Sequence, residues 1–442
     1  LRLGNLVRLV PISIVIGFTN GIAVLIALSQ VKEFFGLQIG SMPVDFVHKV
    51  QAIFTSAHTV HLPTLAVGLI SLSIIIFWPK TYAATDSRTY RIFSRVPGTI
   101  LVLVISTALV AHLNLDVETI GSRFGAIPQT LPAISFPEFS WQQVQYLFAP
   151  ALTIALLGAI ESLLCARVAD SMTEERHDPN QELMAQGIAN FAAPLFGGFC
   201  ATGTIARTVT NIRAGAKTPI AGMIHALVLL LIILVAAPLA QHIPLAALAA
   251  ILMFVAYNMG EWHEFLRLRN FSNNYRAILL TTFFLTVAID LTVAVEVGLL
   301  LACVFFILRV SSLTRVEKIQ ESDTDRMGFD SSNVEIFRLS GSLFFGAVSK
   351  MEALLDPKRD IKKWTILDLS NLLNIDTTGL DAIEHLYVML AKRGSTLLLV
   401  GASEQPLSLI KRSGLATKIG LENILDHAAQ AIGRIEDSQN IS

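Results

Sequence analysis

The chain has 442 residues, of which 53% are hydrophobic and only 15% are charged, and its formal net charge at pH 7 is −1. An ordinary soluble domain carries roughly a quarter charged residues, so this composition and a mean hydropathy of +0.60 exclude a purely soluble protein. The charges are sparse up to about residue 310 and dense after it, which predicts one part in the bilayer and one part in water.

Several apolar windows are long enough to predict membrane-spanning helices, because a span needs about 20 mostly apolar residues. They cover residues 12–29, 62–78, 97–113, 147–169, 220–240, 246–257, 277–291 and 292–308. A weaker stretch at 183–199 is interrupted by Pro194, Gly197 and Gly198, so we expect it to precede a short helix rather than to form a span. Asp290 separates the last two windows and is interpreted as the turn of a helical hairpin.

The distribution of Lys and Arg predicts the orientation in the membrane. Two loops share an excess of basic residues: Lys80, Arg88, Arg91 and Arg95 in the first, and Arg267, Arg269 and Arg276 in the second. The positive-inside rule places both loops in the cytoplasm. The stretch 114–145 carries acidic residues, Asp116, Glu118 and Glu138, and is expected on the opposite side. Threading the chain between these loops places everything after Arg309 in the cytoplasm.

The stretch 194–211 predicts an anion-binding site. A glycine-rich approach, a Thr that can cap at 202 or 204, and a helical run that ends near Ala214 predict a helix of about ten residues. Such a helix is about 15 Å long, or half a bilayer, so it begins near the membrane midplane. The first amides, those of Ile205, Ala206 and Arg207, have no intrahelical partners, and the helix dipole adds positive potential there. Discontinuous helices of transporters bind anions in this way.

Arg207 lies in the first turn of this predicted helix. Its guanidinium would add a full positive charge and a fork that suits a carboxylate, sulfate or bicarbonate. The alternative interpretation is an ordinary Gly/Thr turn in which Arg207 pairs with a nearby carboxylate.

Glu161 is the second unusual residue, because it lies inside an otherwise apolar span. A carboxylate at that depth usually faces a cavity or marks a coupling-ion pathway. Gly158 and Cys165, three residues before and four after it, have small side chains and leave room beside Glu161 for a ligand or an opposing helix. Coupling to protons or to sodium is therefore possible, and the alternative is a fixed salt bridge between Glu161 and Arg207. A stripe of small residues on the same helix is interpreted as a packing face: Ala155, Ala159, Ser162 and Ala166.

Two smaller features of the membrane part also have structural interpretations. The sequence Thr19-Asn20-Gly21 either supplies polar groups to a cavity or forms a notch for helix packing. The three cysteines, Cys165, Cys200 and Cys303, lack the spacing of a disulfide framework or a metal site, and we interpret them as inert wall residues.

The C-terminal part predicts a small α/β domain at 331–442, joined to the membrane domain at 1–310 by a charged linker at 311–330. Apolar runs at 334–339, 364–369 and 396–400 are typical of short strands, and amphipathic patterns at 347–355, 379–391, 406–411 and 421–432 predict helices. This alternation indicates a mainly parallel sheet. Asp376, Thr377 or Thr378 can cap the helix that follows the second strand. A phosphorylated or nucleotide-sensing Thr377 is the regulatory alternative.

Three segments, in this order, resemble the sulfate permease (SulP) family of anion transporters with a C-terminal STAS domain. They are Gly-Ala-Ile-Glu-Ser-Leu-Leu-Cys-Ala from 158, the Gly-Gly…Thr-Gly-Thr-Ile-Ala-Arg-Thr…Asn run from 197, and Asp-Thr-Thr-Gly-Leu from 376. The opening residues 6–22 resemble the fifth membrane helix of that family, and the match covers essentially the whole chain. The sequence around Glu161 and Arg207 is most similar to bacterial proton-coupled C4-dicarboxylate carriers.

The resemblance implies two inverted repeats of seven membrane segments, a core domain that moves against a gate domain, and a homodimer. Substrate would bind between two half-helices, the third and tenth segments. Residues 204–207 would begin the tenth, and Glu161 would be the carboxylate of the eighth. The family often has Ser where Ala206 stands, so a hydroxyl contact would come from Thr204 or Thr208.

The sequence also departs from the family at Thr377 and at its N-terminal end. In STAS relatives that antagonise anti-sigma factors a phosphorylated Ser occupies the position of Thr377. About four N-terminal membrane segments are absent relative to the family, so we expect a truncated version of a longer transporter.

The leading functional hypothesis is proton-coupled uptake of a C4-dicarboxylate across a bacterial inner membrane. The alternatives are sodium-coupled transport of bicarbonate or sulfate and, in another class, a membrane-anchored signalling or scaffold protein whose STAS domain binds a cytoplasmic protein. No nucleophile–base pair, metal-ligand cluster or phosphate-binding loop is visible, so an enzyme is not expected. We also expect no cofactor, no metal and no nucleic-acid partner.

Overall fold

The computed structural model describes residues 4, 10–78, 96–137, 139–327, 329–330, 332–351, 354 and 360–440. The chain divides into two compact units, Leu1–Leu301 and Ala302–Ser442. The predicted cytoplasmic loop with Lys80, Arg88, Arg91 and Arg95 lies outside the described residues, and so does Glu138.

The predicted windows match helices to within several residues, whereas the helices at 46–55, 120–124 and 262–267 were not predicted. The helices of this part of the chain extend to 313, beyond the boundary of the first unit at Leu301. They are α1 (Ile12–Phe35), α2 (Phe46–Thr55), α3 (Leu62–Phe77), α4 (Gly98–Leu113), α5 (Ile120–Phe124), α6 (Trp141–Thr173), α7 (Pro179–Ala192), α8 (Ile205–Arg213), α9 (Ile220–Leu231), α10 (Ala237–Ala240), α11 (Leu245–Met259), α12 (Trp262–Arg267), α13 (Asn273–Ala288) and α14 (Leu291–Leu313). A π-helical turn, Ile232–Ala236, joins α9 to α10.

Five stretches in the described part of the chain are long and apolar enough to cross a membrane: Ile12–Phe35, Trp141–Thr173, Ile220–Ala240, Leu245–Asn270 and Val293–Leu313. Helices α3 and α4 are shorter but equally apolar in character. The weak stretch at 183–199 forms the end of α7 and a 3-10 turn, Ala193–Phe196, as its Pro and Gly residues predict. Asp290 lies between the end of α13 and the start of α14, so the predicted hairpin turn is present.

Helix α1 packs closely on α13 through two glycines one turn apart. A Cβ atom at Gly17 would lie 2.5 Å from the carbonyl oxygen of Leu279, and one at Gly21 would lie 2.5 Å from Cγ2 of Thr286. Between them Asn20 is fully buried. Small residues at this spacing allow two helix backbones to approach within the membrane. The sequence at 19–21 is therefore part of a packing notch, which resolves the two interpretations above.

The second unit contains a five-stranded sheet in the order β1-β2-β3-β4-β5. The strands are β1 (Arg315–Lys318), β2 (Val334–Leu343), β3 (Trp364–Ile375), β4 (Thr396–Val400) and β5 (Ile424–Leu425). β1 is antiparallel to β2, and the other pairs are parallel. The helices are α15 (Glu321–Arg326), α16 (Thr377–Lys392), α17 (Glu404–Arg412), α18 (Leu415–Ile419) and α19 (Ala428–Asn440).

Side chains that alternate along β3 belong to two separate apolar cores. Leu367 and Leu369 pack with α16, whereas Ile366 packs with Ile435 of α19. The sheet is therefore covered on both faces, which confirms the predicted α/β class with a mainly parallel sheet.

The predicted linker at 311–330 contains β1 and α15. Two predictions for this unit need correction. The helix expected at 347–355 is a 3-10 turn, Val348–Met351, within the described residues. The helix expected at 421–432 was wrong in its first half, where β5 pairs with Leu399 and Val400. Short apolar runs fit a strand or a helix equally well, and only the neighbouring strand decides between them.

Candidate functional site

The predicted half-helix is present as α8, whose nine residues span about 14 Å at 1.5 Å per residue. Thr204 precedes it in an extended conformation and makes no side-chain capping bond. The first intrahelical bond runs from the amide of Thr208 to the carbonyl of Thr204 at 3.1 Å. The amides of Ile205, Ala206 and Arg207 are therefore the ones that the helix itself leaves without a partner.

Helix α6 holds the loop that leads into α8. The hydroxyl of Thr202 donates to the carbonyl of Gly158 at 2.8 Å, and the amide of Gly203 donates to the hydroxyl of Ser162 at 3.1 Å. One turn further on, the thiol of Cys165 donates to the hydroxyl of Thr208 at 3.0 Å. The interpretation of Ser162 as part of a packing stripe is therefore incomplete, because its hydroxyl bonds the backbone of the loop.

Helix α7 contributes two side-chain amides that sequence reasoning missed. Asn190 bonds both backbone groups of Ala201, accepting from its amide at 2.8 Å and donating to its carbonyl at 2.9 Å. Gln186 donates to the same carbonyl at 3.4 Å and accepts from the hydroxyl of Ser162. Their spacing of four residues places both on one face of the helix. Two amides at that spacing inside a weakly apolar stretch were the available signal.

A cavity of about 690 Å³ lies beside this loop. Its lining combines apolar residues of α1 and α6 with Glu161, Gln186, Asn190 and residues 200–202. Glu161 is half-buried, and Ala155 and Ala159 of the small-residue stripe also face this cavity.

The structure brings Glu161 together with the loop but does not pair it with Arg207. Arg207 is exposed and does not line the cavity, and neither do Thr204 or Thr208. Within the described part of the chain, Glu161 and Arg207 form no ion pair with each other. The fixed Glu161–Arg207 salt bridge is therefore absent. Of the three cysteines, Cys165 is buried, whereas Cys200 and Cys303 are exposed and Cys200 lines the cavity.

In the second unit, Asp376 caps α16 as its sequence predicts. Its Oδ1 accepts from the amide of Gly379 at 2.8 Å, and its Oδ2 accepts from the amide of Phe345 at 3.1 Å. Both carboxylate oxygens are thus occupied by backbone donors, which gives Asp376 a structural role. Thr377 is the first residue of α16, and its side chain is exposed. Its proposed phosphorylation stays a prediction.

Comparison with known proteins places the whole chain. A family model described as the sulfate permease family matches residues 1–282, and one described as the STAS domain matches residues 330–431. The chain is 39% identical to the putative sulfate transporter YvdB of Bacillus subtilis, and the match covers 98% of this chain and 80% of that protein. It is 30% identical to the bicarbonate transporter BicA of Synechocystis sp., covering 98% and 76%.

Solved structures agree with this placement. The murine Slc26a9 anion transporter in its inward-facing state superposes with a TM-score of 0.82 over 97% of this chain and 71% of that one. At 20% identity this likeness shows the fold alone. The transmembrane domain of a cyanobacterial bicarbonate transporter, BicA, superposes with a TM-score of 0.55 at 32% identity, covering 68% of this chain and 71% of that one. The fold is thus a polytopic helical transporter fold followed by a small α/β domain, and the chain belongs to the sulfate permease family of anion transporters and carries a C-terminal STAS domain.

Proposed function

We propose that the protein is a secondary active transporter that takes up a small anion together with protons. The observation that carries this proposal is the loop at 200–203. Its residues 200–202 line the cavity beside Glu161, and the loop then leads into the N-terminus of α8. The proposed anion site thus begins within a few residues of the part of the loop that shares a cavity with Glu161. This is the arrangement that coupled transport of an anion needs.

The anion would bind at the first turn of α8. Three backbone amides that the helix leaves without partners, together with the positive end of the helix dipole, favour a negative charge by about 0.3–1 kcal/mol or more in a partly buried place. Arg207 lies in that turn and, being exposed, has freedom to bring its guanidinium to a bound carboxylate or oxyanion. Thr204 and Thr208 are the nearest hydroxyls for a further contact.

Glu161 would carry the coupling ion. A half-buried carboxylate that faces a cavity and has no ion pair with Arg207 is chemically suited to exchange a proton or to hold a cation as the substrate moves. Proton coupling is our first candidate, and sodium coupling is the second.

The substrate class has two candidates. The sequence around Glu161 and Arg207 favours a C4-dicarboxylate such as succinate. The relatives named as bicarbonate and putative sulfate transporters favour an inorganic oxyanion. Helix amides and a guanidinium accept all three anions with similar geometry, so only a flux measurement separates them.

The experiment is uptake of labelled succinate, sulfate and bicarbonate into proteoliposomes under an inward proton gradient without sodium. We expect one of these anions to accumulate and a protonophore to abolish its accumulation. Glu161→Gln should lower gradient-driven accumulation at least tenfold while leaving exchange of labelled for unlabelled anion intact, because only the coupling group is lost. Arg207→Gln should impair both processes.

The matched control is Glu175→Gln, which neutralises an exposed carboxylate shortly after α6. It should transport like the unmodified protein. Uptake that requires sodium and ignores the protonophore would favour the sodium-coupled candidate. Proton-driven accumulation by Glu161→Gln at the unmodified rate would contradict the coupling role of Glu161.

We further propose that the protein is a homodimer of a bacterial inner membrane and that its STAS domain lies in the cytoplasm. The exposed Thr377 at the start of α16 supports a regulatory role for this domain, through phosphorylation or a protein partner. In the alternative class, a signalling scaffold, the STAS domain would bind a partner and flux would be absent. Loss of flux on deletion of residues 331–442, with the membrane helices still folded, would favour regulation of transport.

A further inference from the structure

We propose that Asn190 of α7, assisted by Gln186, is a positioning residue for the anion site. In this inference the two amides fix the loop at 201–203 and thereby set where α8 begins. The consequence for substrate affinity rests on the proposed function above, whereas the consequence for the loop itself does not.

Asn190 makes a two-way contact with a single loop residue. Its side-chain amide accepts from the backbone amide of Ala201 and donates to the carbonyl of the same residue, at 2.8 and 2.9 Å. One side chain thus satisfies both backbone groups of Ala201, in the way that a neighbouring β-strand would.

Gln186 ties this contact to α6. It donates to the carbonyl of Ala201 at 3.4 Å, a longer contact than that of Asn190, and it accepts from the hydroxyl of Ser162. Ser162 in turn accepts from the amide of Gly203. The loop is therefore held between two helices by polar side chains.

The residues that flank 201–203 give the loop little side-chain support, although the amides of Gly197 and Gly198 bond the preceding 3-10 turn at 3.0 and 2.9 Å. Gly197 has a positive φ of 72°, and a Cβ atom built there would meet nothing within 4 Å. Phe199 is 88% exposed. At the other end Thr204 makes no capping bond with its side chain. The position of the loop thus depends on Asn190, Gln186 and the bonds from α6.

The position of the loop decides the geometry of the anion site. Only Thr204 separates the held residues 201–203 from the amides of Ile205, Ala206 and Arg207, so a shift of the loop moves the donors that an anion would meet. Misplacement of binding groups by about 1 Å is enough to lower affinity or rate severely. Asn190 and Gln186 also line the cavity, but their hydrogen bonds are made with Ala201 and Ser162. They therefore act through the loop.

The test measures the loop and the transport in the same variants. Asn190→Ala should speed hydrogen exchange at least tenfold in peptides covering 197–208, while peptides from α1 and α13 stay unchanged. In proteoliposomes it should raise KM for the transported anion about tenfold, with Vmax and the yield of folded protein within twofold. Gln186→Ala should give the same pattern at about a third of the size, because its contact is longer.

The control is Gln181→Ala, on an exposed position of the same helix, which should change neither measurement. If Asn190→Ala gives no folded protein, Asn190→Ser replaces it, because a serine is too short to reach both groups of Ala201. Unchanged exchange at 197–208 would overturn the proposal, and so would faster exchange spread evenly over all helices. If no anion is transported by the unmodified protein, the proposed function fails, and the exchange measurement still decides the role of Asn190.

Discussion

The side chains buried between α1 and α13 of the membrane unit are unlike those buried in the STAS unit. On α1 the buried set includes small and polar residues, among them Ser13, Asn20 and Ala23. Large apolar residues such as Ile14 and Phe18 are buried there as well. Around β3 the buried set is dominated by large aliphatic residues such as Leu367, Leu369 and Leu386, all with essentially no exposure. The membrane unit thus places small and polar residues at a helix contact, whereas the STAS sheet is packed mainly by large aliphatic side chains.

The difference follows from the solvent of each unit. In water, removal of large apolar side chains from solvent stabilises the fold, at about 25 cal/mol per Å² of apolar surface. In a bilayer the lipid tails are as apolar as leucine, so burial of leucine gains little and close backbone contact takes over. Glycines and polar residues are therefore informative in the membrane helices, whereas apolar periodicity is informative in the STAS unit.

The most severe prediction concerns the glycine contact of α1. Gly17→Val would place its Cβ atom only 2.5 Å from the carbonyl oxygen of Leu279, and its two methyl groups would need further space. Backbone cannot yield as the end of a flexible side chain can, so α1 and α13 would have to separate. We expect at least a tenfold loss of monodisperse protein in size-exclusion chromatography after detergent extraction.

The control for this change is Gly222→Ala in α9, where a Cβ atom would meet nothing within 4 Å. It should leave the yield unchanged. A normal yield of Gly17→Val would show that close backbone contact does not hold these helices together. The proposed difference between the two units would then be contradicted for the membrane unit.

The next prediction concerns truncation of a large apolar side chain in each unit. Leu367→Ala removes a fully buried side chain from the centre of the STAS sheet, and such truncations cost about 2–5 kcal/mol. Leu279→Ala in α13 removes an equally buried side chain from the membrane unit, and because lipid tails are as apolar as leucine we expect a smaller loss there. Hydrogen exchange of a peptide covering 364–375 in the first variant, and of one covering 273–288 in the second, measures both. Equal effects would contradict the proposed dependence on solvent.

The accuracy of prediction from sequence also differs between the membrane unit and the STAS unit. In the STAS unit the apolar runs located β3 and β4 at their observed starts, Trp364 and Thr396, because alternation with helices leaves few arrangements. The run at 421–432 failed, since β5 has only two residues and exists only because β4 lies beside it. Local pattern carries no information about such a neighbour.

In the membrane unit the sequence predicted the half-helix α8 and marked Glu161 and Arg207, because both charges stand out against apolar surroundings. It left open whether Glu161 and Arg207 pair with each other, and the described residues show no ion pair between them. It also missed Asn190 and Gln186, whose partner is the backbone of Ala201. The spacing of the two amides was visible in the sequence, but a backbone partner leaves no signature in residue type, so only the structure could identify what they bond.

The smallest expected effect concerns a charge in the STAS unit. Asp368 on β3 accepts from the hydroxyl of Ser370 and from the guanidinium of Arg338, the latter at 2.8 Å. Burial alone would raise the pKa of this carboxyl, but the bonds from Ser370 and Arg338 hold its pKa below its usual value. Stabilisation from a lowered pKa is present above the unfolded value of about 3.9 and is lost as pH falls through the folded value.

Asp368→Asn should therefore destabilise the STAS unit at pH 6 by about 1 kcal/mol, a figure reduced for the partial exposure of Arg338. The difference from the unmodified protein should begin to shrink as the pH falls through the unfolded value of about 3.9, and it should disappear only below the lowered pKa of the native carboxyl. Thermal unfolding followed by fluorescence of the buried Trp364 at a series of pH values measures it. A stability difference that stays constant down to pH 3 would mean that the negative charge of Asp368 does not stabilise this strand. Hydrogen bonding and packing alone would then hold Arg338 in place.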